Sequence, residues 1–238
     1  MSRFNLDMKS MIGISFEYVA NFYFFAIEEY YHCYGRGTEK RKIFLNEKDY
    51  KRFIALLFVC NSVNTIHLSD HKKKLFSDLF LLKREDTLVD IGAYCLMPNH
   101  FHLLLREKRE DGISLFMQKL MTAYTMYFNK KYERSGALFE SRFKAQHINT
   151  DKYLKYLFSY IYLNPVKLID SKWKENGIKN KKGMKKFLAR YNYSSYLDYL
   201  ENNRPQHEIL NLVKFPDYFE KRETFERELW EWLNYYDK

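Results

Sequence analysis

Between residues 30 and 165, short β-prone runs bounded by turn residues give way to stretches where apolar side chains return every third or fourth position. The first pattern marks strands and the second amphipathic helices. Tyr30 to Tyr34 is a β-prone run, which Gly35-Arg36-Gly37 is expected to end in a tight, positively charged turn. Asn46 reads as a helix cap with Asp49 three residues on, and Tyr50, Phe53, Ile54, Leu57 and Phe58 then recur at helical spacing. From Asn61 to Asp86, His71-Lys72-Lys73-Lys74 and Lys83-Arg84 flank a Leu/Phe-rich middle, which suggests an inserted helix with a solvated basic face. Leu88 to Met97 and Phe101 to Leu105 form a hairpin pattern across Pro98-Asn99. Ile113, Phe116, Met117, Leu120, Met121, Tyr124, Tyr127 and Phe128 predict a second long helix over the same sheet. Gly136 breaks the pattern, Leu138 to Ile148 contains a further strand, and Thr150-Asp151 opens a third helix that Pro165 must end. The order strand, helix, two strands, helix, strand, helix predicts an α+β fold, an antiparallel sheet with helices on one face.

After Pro165 the composition shifts. Lys172 to Arg190 is strongly basic, whereas Glu208 to Asp237 is richer in acids and ends in an amphipathic, Trp-bearing segment. The chain therefore divides into an N-terminal extension (1–26), a main domain (27–168) and an accessory, helical C-terminal region (169–238). A length of 238 residues at 46% hydrophobic content suits one core with an appendage. The net charge of +10 favours a polyanionic partner, either nucleic acid or an anionic membrane surface. Met11 to Ile27 is interrupted by Glu17 and Asn21 and lacks a small-residue cleavage site, so neither a membrane span nor a signal peptide is expected. Cys33, Cys60 and Cys95 form no CxxC pair, which fits a reducing compartment, and a cytoplasmic location is expected. No strongly amphipathic basic helix stands out, which puts nucleic acid ahead of a membrane.

Chemistry concentrates in two places. His100-Phe101-His102 lies on a predicted strand, where alternation sends both imidazoles to one side and Phe101 to the other. Two nitrogens on one face make half a metal site. Tyr160 and Asn164 are four apart at the end of the third helix, so a phenol and a carboxamide share one helical face. Tyr162 is rotated about 160° from Asn164, while Tyr156, one further turn back, remains a rival to Tyr160.

Taken in order, these residues resemble the single-tyrosine HUH nucleases, and within them the REP-associated tyrosine transposases. The resemblance runs through Tyr31-His32-Cys33-Tyr34-Gly35-Arg36-Gly37, Lys42-Ile43-Phe44 with Asp49 to Phe53, and Ala93 to Leu105. It continues through Phe116 to Leu120, Tyr127-Phe128-Asn129, Gly136 to Lys144 and Tyr160 to Val166. Its last piece, Tyr191 to Tyr196, carries Tyr193 just before the serine pair Ser194-Ser195, where the family usually has tryptophan. The resemblance implies a ferredoxin-like core, with His100, His102 and Asn164 as ligands of Mg2+ or Mn2+ and Tyr160 as nucleophile. It implies a 5′-phosphotyrosine intermediate on single-stranded or hairpin DNA. Arg36, Arg142, Lys144 and Lys167 adjoin the motif segments and are the expected phosphate contacts. The base that takes the Tyr160 proton stays open, with His147 and His32 as candidates. Monomer and homodimer both stay open too.

Two other classes compete with this reading. A DNA-binding regulator that kept the fold without the activity would have no evident need of His100, His102, Tyr160 and Asn164 together. A metal-dependent hydrolase using water would leave no covalent adduct. Trapping a protein–DNA adduct separates both from the transferase.

Overall fold

A computed structural model describes residues 24–173, 180–200, 204–218 and 229. Strands β1 (Tyr30–Arg36), β2 (Val89–Met97), β3 (His100–Glu107) and β4 (Lys144–Ile148) form one sheet in the order β2-β3-β1-β4. Every pairing in it is antiparallel. Helix α1 (Glu47–Val59) joins β1 to β2, and α2 (Gly112–Lys131) joins β3 to β4. This is the βαββαβ arrangement of a ferredoxin-like core.

Local chemistry explains the boundaries. Asn46 accepts from Lys48 N at 3.1 Å, and Asp49 accepts from Asn46 N at 3.1 Å, so the start of α1 is capped in both directions; a cap of this kind contributes about 1 kcal/mol. At the other end of the sheet Glu107 Oε2 accepts from Ile113 N at 2.7 Å, supplying α2 with the cap that Asp111, in the left-handed region, does not give. The Pro98-Asn99 turn is held from outside, because Pro98 O accepts from Ile43 N and Phe44 N, and Asn99 O from Gly37 N.

The sheet is apolar on both faces, and this corrects the expectation that all helices share one side. Phe101, Leu103 and Leu105 point into a core with Phe53, Phe116, Leu120 and Tyr124 of α1 and α2. Ala93, Cys95 and Leu104 point the other way, against Leu154, Leu157, Phe158 and Ile161 of α3 (Asp151–Leu163). Each residue of β2 is buried, so a second layer must cover what α1 and α2 leave open. The third helix, α3, is that layer.

Two further expectations need correction. Gly35 and Arg36 belong to β1 rather than to a turn. Gly35 is a strand glycine because a Cβ there would sit 2.8 Å from the Phe101 ring. The stretch from Asn61 to Asp86 forms no α-helix, only short 3₁₀ turns at Leu68–His71 and Ser77–Leu81. Its apolar side chains are split between the core, where Leu68 and Phe80 are buried, and solvent, where Leu75 and Leu81 are exposed.

Beyond residue 168, α4 (Lys181–Leu188) and α5 (Tyr196–Leu200) add to the second core through Met184, Leu188, Tyr196 and Leu197. The segment between them lies along β2: Leu96 N donates to Tyr193 O and Ser195 N to Tyr94 O, each at 2.9 Å. Most of the N-terminal extension, and the amphipathic end expected within Glu208 to Asp237, lie outside the described residues. Among the described residues no helix is long and apolar enough to cross a membrane.

Candidate active site

The hairpin register assembles the site. His100 lies opposite Arg36, and His102 opposite Tyr34, while on its other side β1 sets Tyr34 against Lys144 and His32 against Gln146. Directly paired residues of an antiparallel ladder share a face. His32, Tyr34, Arg36, His100, His102, Lys144 and Gln146 therefore emerge together, on the α3 side, into a cleft of about 430 Å³.

The two imidazoles of the His-x-His pair stand 5.0 Å apart, centre to centre, at 88°. His100 Nδ1 is 2.6 Å from Asn99 Oδ1, and the Asn99 amide nitrogen donates to Lys40 O. An amide oxygen only accepts, so His100 carries its proton on Nδ1 and presents the Nε2 lone pair. His102 Nδ1 lies 2.9 Å from His32 Nε2, where either ring can be the donor. Burial holds His32 down at about 3. His100 is brought to about 4 by burial first and then by the Arg36 and Lys167 charges, with Asn164 pulling the other way. Both rings are neutral at pH 7, the state in which imidazole can ligate a cation.

Helix α3 brings in the phenol. Thr150 caps it by accepting from Tyr153 N, and the helix ends at Leu163 because Pro165 cannot donate the next bond, so Asn164 to Leu168 tighten into a 3₁₀ turn. The Tyr160 ring lies 5.3 Å from His102 and 6.0 Å from His32, with the Lys167 ammonium 5.6 Å from its centre. Burial raises the phenol above its ordinary range, Asn164 lowers it, and the Arg36 charge also lowers it. Asn164 is 1% exposed and its carboxamide closes no hydrogen bond of normal geometry, although it is near enough to bias both Tyr160 and His100.

The structure brings most of the sequence-derived set together. His100, His102, Tyr160, Arg36, Arg142, Lys144 and Lys167 all line the cleft, and Asn164 lies buried beside Tyr160 and His100. Tyr162 is fully buried against Tyr196 and Tyr199, away from it. Tyr156 does line the cleft, with its ring 6.0 Å from that of Tyr160. His147 is set aside as a base: paired with Tyr31 in register, it lies on the opposite face, 2.8 Å from Glu29. His32 is in place but too weakly basic to hold a proton at neutral pH. Sequence reasoning missed Tyr34, Gln146 and Tyr153 as lining residues. Tyr34 could have been found, since it lies two residues from His32 on one strand.

Fold and site together give an antiparallel α+β core carrying a His-x-His strand opposite a tyrosine helix. Residues 30–164 match the family model described as "Transposase IS200 like", and the chain belongs to that family. It is 36% identical over 86 residues to a Haemophilus influenzae protein named for the REP-associated tyrosine transposases, a match covering 32% of this chain and 48% of that protein. The chain thus spans about half the length of this curated relative. A solved structure titled as a REP-associated tyrosine transposase bound to a REP hairpin aligns with a TM-score of 0.47 and 13% identity, over 76% of this chain and 85% of the other.

Proposed function

We propose that the chain is a metal-dependent single-stranded DNA endonuclease and strand transferase that works through a phosphotyrosine at Tyr160. The observation that carries this reading is the Tyr160 ring standing 5.3 Å from His102 inside a cleft lined by Arg36, Arg142, Lys144 and Lys167. Among the described residues no three His, Cys, Asp or Glu side chains converge as metal ligands, so a metal here needs a different donor set. The residues present do fit one: His100, His102 and the buried Asn164 carboxamide, which lacks a hydrogen-bonding partner of normal geometry. All three donors are neutral, which favours Mg2+ or Mn2+ bound together with a phosphate, and the imidazoles favour Mn2+ between the two. Such an ion would supply Lewis-acid polarisation of a phosphate oxygen.

The chain's own residues account for the rest. Lys and Arg side chains at the cleft would hold the backbone of a strand, and Tyr160, which lines the same cleft, would attack phosphorus through Oη. The phenol loses its proton as Oη bonds to phosphorus, the bond from phosphorus to the 3′ oxygen breaks, and that oxygen takes up a proton to leave a free 3′ hydroxyl. One phosphoester replaces another. A 3′ hydroxyl can therefore reverse the step and rejoin strands without an external energy source. Arg36, which lowers the phenol's pKa, and Asn164 both favour the phenolate against the effect of burial. The test is incubation with labelled single-stranded hairpins and manganese, followed by denaturing electrophoresis. A denaturation-resistant protein–DNA adduct is expected, and cleavage without any adduct would point to the water-using hydrolase instead.

A further inference from the structure

The cleft has two unlike walls. One is mainly cationic, where Arg142 and Lys144, with the carboxylate of Glu140 nearby, lie exposed on the edge strand β4 and the loop before it. The other is aromatic. Tyr153, Tyr156 and Tyr160 follow one another along α3, with ring centres 6.1 Å apart and planes 21° apart for the first pair, and 6.0 Å and 37° for the second. The stripe that α3 needs for its own packing is Leu154, Leu157, Phe158 and Ile161, all buried. The tyrosines occupy the flank beside that stripe: Tyr153 and Tyr160 pack in part against the second core, and all three are half-buried and line the cleft.

We propose that Tyr153 and Tyr156 form a stacking subsite for unpaired nucleobases adjoining the scissile phosphate, while Arg142 and Lys144 hold phosphates of the same segment. The inference rests on the reading of Tyr160 as nucleophile and specifies how its substrate is held. A single strand has two chemistries, a polyanionic backbone and exposed π faces, and the cleft answers each on a separate wall. In a duplex the bases stack and pair with each other, so the aromatic wall selects unpaired DNA. Rings already fixed by a helix and its core lose little freedom on binding.

The test uses the full chain without metal, in chelator, and a short mixed-sequence strand carrying 2-aminopurine at successive positions. Binding should quench the fluorescence, and the same strand annealed to its complement should not be quenched. Tyr153→Leu and Tyr156→Leu should each lose quenching and bind roughly fivefold or more weakly, with the salt dependence unchanged. Tyr156→Phe keeps a ring and should retain the quench, which separates stacking from a folding defect in the leucine variant. Absence of quenching at every position, or leucine variants that bind like the parent, would overturn the subsite. Adduct formation with manganese is scored separately: quenching without adducts upholds the subsite and sinks the transferase reading, while adducts without quenching do the reverse.

Discussion

Replacing Tyr160 by phenylalanine removes one oxygen and leaves the ring. The ring contacts to His102 at 5.3 Å, to His32 at 6.0 Å and to the Lys167 ammonium at 5.6 Å are all available to phenylalanine. What is lost is the polar hydroxyl near Asn164, a change of about 1 kcal/mol on the scale of a single hydrogen bond. The variant should therefore fold and bind single-stranded DNA like the parent. Its adduct yield should fall to background, because phenylalanine has no nucleophile. The pH dependence of the parent tests the same assignment. Burial keeps the phenol above its ordinary pKa, so across neutral pH the phenolate is a small fraction that grows about tenfold per pH unit. If proton loss precedes attack, the initial rate of adduct formation should rise with pH by about that factor and level off only above the phenol's own pKa. Single-turnover reactions with labelled hairpin and manganese, quenched into denaturant, measure it. The assignment fails if Tyr160→Phe still becomes covalently linked, or if Tyr156→Phe alone is inactive.

Three further outcomes follow from the same geometry. His100→Ala and His102→Ala should each lose manganese binding by calorimetry and lose adduct formation, while keeping most of the affinity for single-stranded DNA; unchanged manganese affinity would exclude that histidine as a ligand. Arg142→Ala and Lys144→Ala should each flatten the log–log salt dependence of binding by about 0.7, and an unaltered slope would show that the residue does not hold a phosphate. Glu107 is 0% exposed, and burial raises it from 4.5 to about 7 despite hydrogen bonds from the start of α2. Its folded pKa lies above the unfolded one, so the folded state binds the proton more tightly. The contribution of Glu107 to stability is fullest below about pH 4.5 and is lost as pH rises through about 7. Glu107→Gln keeps an acceptor for Ile113 N and should abolish that decline, gaining up to about 3 kcal/mol at pH 8; denaturant titrations across the range with parallel pH profiles would contradict this.

The long helices were legible because apolar residues recur in them at helical spacing up to a clear stop, and the strands because β-prone runs end at turn residues. Asn46 with Asp49, Pro98-Asn99, and Thr150 with Pro165 are local signals, and local chemistry set those boundaries. The face on which α3 packs was not legible. Leu154, Leu157, Phe158 and Ile161 state that the helix has an apolar side, yet only the burial of every β2 residue shows that the sheet has a second face to receive it. Gly35 misled for a related reason. In sequence it reads as a turn, and its actual neighbour, Phe101, lies on another strand. For the candidate site, the period-two rule placed His100 and His102 together, and the four-residue step placed Tyr160 with Asn164. The hydrogen bond between His32 and His102 depends on the register of β1 against β3, which no local pattern encodes.

The position of the site within the fold follows from how the second core ends. Along β3, on the face toward α3, the side chains run from Leu104, fully buried, through His102, at 6%, to His100, which is half-buried. Along β1 the same face runs through His32 and Tyr34 to the exposed Arg36. Helix α3 changes in the same sense around its circumference, from the buried Leu157 and Ile161 to the half-buried Tyr156 and Tyr160. The apolar layer thus thins into polar side chains where sheet and helix both meet the cleft. A group at that margin gains the rigidity of the packed core beside it and keeps access to solvent and ligand. Burial also lowers His100 and His32, so the imidazoles stay neutral, and it raises Tyr160, so the phenol keeps its proton until something draws it off. One packing gradient therefore sets both the placement and the protonation of the residues proposed to act on DNA.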